Sequence, residues 1–168
     1  MSEILIRRFD ESDITQSYVD WLNDPVVTRY SQQRHMQHTY ETCSNYYKSF
    51  QGSANCFLAI ELKSTGKMIG TATVYKDMIN RVADVGLMIG DRTAWGKGYG
   101  SESWKVILEE LMEDTTIDKI TAGTLRANQG MLKILNKSPL KEEAVRCRQE
   151  IVEGKRIDSI LFAWHREL

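Results

Sequence analysis

Val85-Gly86-Leu87-Met88-Ile89 is an apolar run, and Trp95-Gly96-Lys97-Gly98-Tyr99-Gly100-Ser101-Glu102 is a glycine-rich turn leading into an amphipathic segment. Gly96, Gly98 and Gly100 allow the backbone to approach a ligand closely, and a helix starting there aims its free N–H groups and positive dipole end at anionic oxygens. Strand, glycine turn and helix together make a cradle able to hold a diphosphate. A tight strand-to-helix turn with no ligand uses the same glycines, so the turn alone leaves both readings open. The helix itself is well marked, because Trp104, Ile107, Leu108, Leu111 and Met112 recur at helical spacing on one face. Ser101 reads as its N-cap or a first-turn residue, and Glu102 suits the positive helix end. A Walker loop is excluded, since no Lys-Ser or Lys-Thr follows the last glycine, and so is a dinucleotide fingerprint, since no second strand-helix half recurs.

On the N-terminal side, Ile4-Leu5-Ile6 reads as a first strand, and Asp10 or Ser12 can cap a helix bearing Ile14, Tyr18, Trp21 and Leu22 on one face. Asn23-Asp24-Pro25 ends it. Tyr40, Cys43, Tyr47 and Phe50 mark a second helix, after a polar loop from Ser31 to His38. Two strands, Cys56 to Leu62 and Met68 to Tyr75, flank the turn Ser64-Thr65-Gly66-Lys67, and a third spans about Val82 to Ile89. Beyond the long helix come a strand from Lys119 to Leu125, a short helix from Gln129 to Lys137 and a hairpin from Glu143 to Trp164 turning at Glu153-Gly154-Lys155. Hairpins before and after one strand-helix-strand crossover make an α+β arrangement.

The 168 residues, 42% hydrophobic and 27% charged, match one core, so residues 1–168 read as a single domain. A net charge of −1 from 22 basic and 23 acidic residues gives no global attraction to nucleic acid or to an anionic membrane. Cys43, Cys56 and Cys147 are odd in number and lack a Cys-x-x-Cys pattern, which argues against a disulfide framework and against a zinc site; no metal is expected. With no signal-peptide pattern and no run of membrane-spanning length, a cytoplasmic, soluble protein is expected.

Ile89-Gly90-Asp91, the run Trp95 to Glu102, and Asn128 after an apolar strand resemble the GNAT superfamily of acyl-CoA-dependent N-acyltransferases, over nearly the whole chain. The family signature is Arg or Gln, two residues, Gly, one residue, then Gly or Ala; Gly98 and Gly100 match it, and Trp95 stands where Arg or Gln is usual. The Trp-Gly-Lys-Gly-Tyr form is similar to a subgroup containing ribosomal-protein N-terminal acetyltransferases and amino-sugar acetyltransferases. The resemblance implies a mixed, mostly antiparallel central sheet with a splayed strand pair, flanked by helices. It also implies acetyl-CoA as co-substrate, with its diphosphate on the backbone of Trp95, Gly96, Lys97, Gly98, Tyr99, Gly100 and Ser101. The pantetheine arm would pair with Leu87, Met88 and Ile89 as an added strand would, with the N–H of Met88 or Ile89 supporting the oxyanion. Asn128 stands where the family places a cofactor-contacting Asn, and an Asn before a helix serves equally as an N-cap.

Acetyl transfer to an amine requires a base, since a protonated amine has no lone pair. Asp84 lies where related enzymes carry an acidic residue and is the first candidate; a solvent-facing Asp is its alternative. His35 is the second, an imidazole that titrates near neutrality in the loop implied to cover the substrate side. The family's usual general acids, a Tyr and a Ser, fall on Leu135 and Met131. The region Tyr18 to Ser31 resembles the substrate side of amino-sugar acetyltransferases, which makes Arg29 and Arg34 candidate phosphate contacts and Tyr30 a stacking surface, whereas Trp21 fits the helix core. The implied function is N-acetylation of a small primary amine, foremost an amino sugar or sugar nucleotide. The alternatives are a protein N-terminal acetyltransferase, which needs an open groove, and a non-catalytic acyl-CoA-binding module. A homodimer is left open.

Overall fold

The computed structural model describes residues 2–167, and its framework is one seven-stranded sheet. The strands are β1 (Ile4–Arg8), β2 (Cys56–Leu62), β3 (Lys67–Asp77), β4 (Val82–Ile89), β5 (Lys119–Leu125), β6 (Lys141–Val152) and β7 (Lys155–His165). Their order across the sheet is β1-β2-β3-β4-β5-β7-β6. Every neighbouring pair is antiparallel except β4 and β5, which run parallel and are joined by the crossover helix α3 (Tyr99–Glu113). The remaining helices are α1 (Gln16–Asn23), α2 (Tyr40–Ser49) and α4 (Gln129–Asn136). This is the expected mixed α+β layering.

The two faces of the sheet carry separate cores. On one, Trp104, Ile107, Leu108 and Leu111 of α3 and Leu135 of α4 pack on Val74, Val85, Ile120 and Ile160. On the other, Tyr18, Val19 and Leu22 of α1 and Cys43 of α2 pack with Phe9, Phe50 and Phe57, whose rings stack at 4.2 Å (Phe9 on Phe57) and 5.1 Å (Phe50 on Phe57). Trp104 is 2% exposed and its buried indole N–H finds no acceptor among the described residues, so packing holds the residue. Trp104→Ala is therefore expected to cost about 3–5 kcal/mol, a fall in Tm on the order of 10 °C by calorimetry.

The start of α1 departs from the sequence reading. Asp10 caps a 3-10 turn over Glu11–Asp13 rather than α1, and Thr15 caps α1 by accepting from the Tyr18 N–H. Gly98 is the N-cap of α3, which places Ser101 within the first turn, one of the two positions read for it from the sequence. Glu102 accepts a hydrogen bond from the Glu3 N–H at 2.8 Å, tying α3 to the start of β1.

Candidate active site

Strands β4 and β5 stay in register over only three pairs, Val82↔Lys119, Ala83↔Ile120 and Asp84↔Thr121, although β4 continues to Ile89 and β5 to Leu125. Beyond Asp84 they diverge. Each keeps its other partner, since β4 pairs with β3 through Ile89 and β5 pairs with β7 through Leu125. The opening is therefore a wedge with one apex, at Asp84 and Thr121, and it lacks ladder hydrogen bonds on both inner edges.

Which backbone groups line the wedge follows from strand alternation. A strand residue points its N–H and C=O to one side and its neighbour points them to the other. The Gly90 N–H donates to Ile69 O at 2.9 Å, and β3 and β4 pair without a register shift, so even-numbered residues of β4 bond to β3. Leu87 and Ile89 then face the wedge. Met88 does not: its backbone belongs to the β3 ladder and its side chain packs in the α1/α2 core. This corrects the expectation that Met88 offers its backbone to the cofactor arm or the oxyanion.

At the mouth of the wedge the chain turns through Gly96, with φ +75°, and Gly98, with φ +87°, into α3. Gly98 is the N-cap and contributes no side-chain hydrogen bond. The N–H groups of Tyr99, Gly100 and Ser101 have no acceptor among the described residues, and they converge at the positive end of a 15-residue helix. Lys97 is exposed beside them and Tyr99 is half-buried against the α3 core. Gly100 lets α3 approach the wedge closely: a Cβ there would lie 3.3 Å from Ile134 Cδ1 and 3.6 Å from Ile89 Cγ1. The Trp95 indole N–H donates to Ile89 O at 2.7 Å, joining the turn to the end of β4. Asp91 stabilises the same turn from below, accepting from the Thr93 N–H at 2.9 Å and from Lys67 Nζ at 2.6 Å. Asn128 accepts from the Met131 N–H at 3.2 Å and so serves as the N-cap of α4. Leu135, where the family's Tyr is usual, is fully buried.

Asp84 stands on the α1/α2 face at the apex. Thr121 Oγ1 donates to its Oδ1 at 2.6 Å. Desolvation by its surroundings raises the Asp84 pKa above the ordinary carboxylate value, and the Thr121 hydrogen bond partly opposes that rise. Its cross-strand neighbour on β3 is Tyr75, whose hydroxyl lies 2.6 Å from that of Tyr46 on α2; burial pushes the Tyr46 phenol up. Sequence reasoning missed Thr121, Tyr75 and Tyr46. The register β3-β4-β5 brings them to Asp84, and that register is not written in local periodicity.

The remaining candidates lie in the segment between α1 and α2, residues 24–39. At one end Trp21 packs on Gly90, where a Cβ would lie 2.3 Å from the indole, and Arg92 contacts Asp24 at 3.4 Å. At the other end Arg34 pairs with Glu150 and Arg29 with Glu153, both at 2.8 Å, and Arg34 also donates to Ser31 O at 2.7 Å. The segment thus runs from the end of β4 to the β6–β7 hairpin as a strap across the mouth of the wedge. Arg29 and Arg34 are both engaged with carboxylates, and the Arg29 guanidinium lies over the Tyr30 ring at 5.3 Å. His35 is exposed at the end of the 3-10 turn Gln32–His35 and lines a pocket of about 290 Å³ with Arg34, Glu150 and Arg156. No residue of β4 lines that pocket, and the hydrogen bond of Asp84 is to Thr121 rather than to His35.

Three comparisons with known proteins agree with this geometry. The family described as "Acetyltransferase (GNAT) domain" matches residues 3–140. A Bacillus licheniformis protein named "Uncharacterized N-acetyltransferase p20" is 29% identical over 164 residues, covering 92% of this chain and 86% of the relative. Among solved structures, a spermidine N-acetyltransferase from Vibrio cholerae in complex with CoA and spermine superposes with a TM-score of 0.86 at 15% identity, covering 99% of this chain and 97% of the other. The ribosomal L7/L12 alpha-N-protein acetyltransferase RimL in complex with CoA gives 0.82 at 15% identity, covering 99% and 96%. At those identities the two structures speak for the fold, while the family match spans most of the sequence, including β4, the glycine turn and α3. A wedge with free strand edges, leading into an anion cradle, is what an acyl-CoA thioester needs, and the chain belongs to the acetyltransferase (GNAT) family of N-acetyltransferases.

Proposed function

We propose that the protein transfers an acetyl group from acetyl-CoA to the primary amine of a small polar molecule, by direct attack of the amine. The observation that carries this reading is the continuity of the wedge: β4 supplies a cradle-linked edge at Ile89 and a carboxylate at the apex, Asp84. Acetyl-CoA supplies an activated acyl group. The free N–H groups of Tyr99, Gly100 and Ser101 fit its diphosphate, and the wedge-facing backbone of Leu87 and Ile89 fits its amide-bearing arm. A wedge-facing N–H of Leu87 or Ile89 stabilises negative charge on the carbonyl oxygen. Asp84 takes a proton from the incoming ammonium, held ready by Thr121 and walled by Tyr75.

The strap bears on the acceptor. It covers the mouth of the wedge on the Asp84 face, which suits a small molecule and opposes the open groove that a protein N-terminus needs. With Arg29 and Arg34 held by Glu153 and Glu150, a free amino sugar is favoured over a nucleotide-linked one. The polyamine named for the Vibrio cholerae structure makes a linear amine the second class to test. Release of free CoA from acetyl-CoA, followed with a thiol-reactive dye against amino sugars, sugar nucleotides, polyamines and N-terminal peptides, tests all of these. Turnover with a small amine and none with peptides is expected. Turnover with peptides alone overturns the small-acceptor reading, and acetyl-CoA binding without turnover by any class points to a binding module.

The half-buried Arg34 contact shapes the strap more than the exposed Arg29 pair does, since an exposed ion pair contributes little. Arg34→Ala is expected to raise the acceptor KM by about 3–10-fold, on the order of one ordinary hydrogen bond, and to leave the KM for acetyl-CoA within about twofold. Steady-state kinetics with each substrate varied in turn checks it.

A further inference from the structure

We infer that Trp95 is a positioning residue that couples the diphosphate cradle to the pantetheine edge of β4, so that the two halves of acetyl-CoA bind in one register. The inference rests on the acetyl-CoA reading above and assigns a role to the residue that replaces the usual Arg or Gln of the signature.

Ile89 is the last residue of β4 and one of the two whose backbone faces the wedge beyond its apex region. A bare carbonyl there would be an acceptor left without a strand partner, at the point where the chain leaves the sheet. The Trp95 indole takes it at 2.7 Å, six positions along the chain. The loop between is fixed at several other points. Gly90 and Asp91 N–H groups both donate to Ile69 O, at 2.9 and 3.0 Å, and the Asp91 carboxylate caps the 3-10 turn Arg92–Ala94. The Trp95 N–H closes that turn on Arg92 O at 3.2 Å. These contacts tie the loop to β3 and to itself; among them, only the indole bond ties the residue that opens the glycine turn directly to the edge of β4 that faces the wedge.

That bond has two consequences. It removes Ile89 O from the set of wedge-facing acceptors, which leaves the Ile89 N–H and both backbone groups of Leu87 to pair with the amides of the arm. It also fixes the offset between those groups and the converging N–H groups of α3, which begin four residues after Trp95. A ligand that spans both regions binds to a preformed offset; a ligand that occupies only the cradle is indifferent to it. Trp95 is 42% exposed, so its packing contribution to the fold is modest and its donor function can be removed without emptying a core.

Trp95→Phe keeps an aromatic ring and deletes the donor. The probes are acetyl-CoA, which spans cradle and wedge, and 3′-phospho-ADP, which carries the diphosphate but no arm and is used as a competitive inhibitor. The expected result is a KM for acetyl-CoA raised about tenfold, kcat reduced less than about threefold, and a Ki for 3′-phospho-ADP within about twofold of wild type, with the Tm unchanged within about 2 °C. Parallel weakening of both ligands would mean that Trp95 only shapes the cradle and overturns the inference, as does an unchanged KM for acetyl-CoA or a loss confined to 3′-phospho-ADP. A wild-type protein that binds neither ligand overturns the acetyl-CoA reading itself, a separate failure seen before any variant is made.

Discussion

Asp84→Asn is expected to lower kcat/KM by about 10²–10³-fold at neutral pH while leaving the KM for acetyl-CoA within about twofold, the size and pattern of losing a general base. Asn is isosteric and still accepts the hydrogen bond from Thr121 Oγ1, so the geometry of the apex survives and only proton acceptance is lost. The pH profile gives a second handle. Desolvation raises the Asp84 pKa, so the acid limb of kcat/KM in the wild-type protein lies above the ordinary carboxylate range, and activity rises with pH as Asp84 ionises. Because the Thr121 hydrogen bond acts in the opposite direction, Thr121→Val should move that limb to still higher pH and keep most of the activity on the alkaline plateau. The linkage to stability has a definite sign. A carboxyl whose folded pKa lies above its unfolded value contributes stability below the unfolded pKa and loses that contribution as the pH rises through the folded one. Above the folded pKa that contribution is gone, and there Asp84→Asn should unfold at or above the wild-type Tm. Loss of turnover with a maintained Tm marks a catalytic defect; loss of both would place Asp84 in the fold instead.

The elements were legible in the sequence wherever one local signal dominated. Cys56–Leu62 and Lys119–Leu125 are rich in apolar and β-branched residues, and the structure returns those same bounds. Helix caps were less legible, since Asp10 and Thr15 both precede helical turns and only the backbone path decides which cap serves α1. The turn into α3 could be read because the positive φ of Gly96 and Gly98 favours glycine and so shows in the residue type. The acceptor side could not. Thr121 and Tyr75 reach Asp84 through strand pairing between distant segments, and Arg29 and Arg34 meet Glu153 and Glu150 across more than a hundred residues of sequence. An arginine in isolation reads as a phosphate ligand; its carboxylate partner is visible only in three dimensions. Met88 shows the same limit at finer scale, because the direction of one peptide depends on which neighbour its strand bonds.

Gly98→Val is expected to raise the KM for acetyl-CoA about a hundredfold, with a smaller change in kcat. Gly98 holds φ +87° and ψ −5°, the left-handed region, and a Cβ built there meets nothing within 4 Å. Steric clash with neighbours is thus absent, and the whole cost arises in the backbone, at about 1–2 kcal/mol for an ordinary residue and more for a β-branched one. The chain can relieve that strain only by rotating the residue that caps α3, which turns the N–H groups of Tyr99, Gly100 and Ser101 away from their common focus. Hydrogen bonds from such groups to a charged ligand contribute about 1.5–3 kcal/mol each, so losing one or two accounts for the expected factor. Gly98→Ala should show the same direction at about tenfold. Gly154 at the β6–β7 turn supplies the control: it also has positive φ, at +76°, and also has open space for a Cβ. Gly154→Val should lower the Tm by a similar amount and leave the KM for acetyl-CoA unchanged. If both glycine variants shifted KM alike, general loosening of the fold would explain the effect. A shift confined to Gly98 assigns it to the convergence of three N–H groups, the feature on which the proposed diphosphate contact rests.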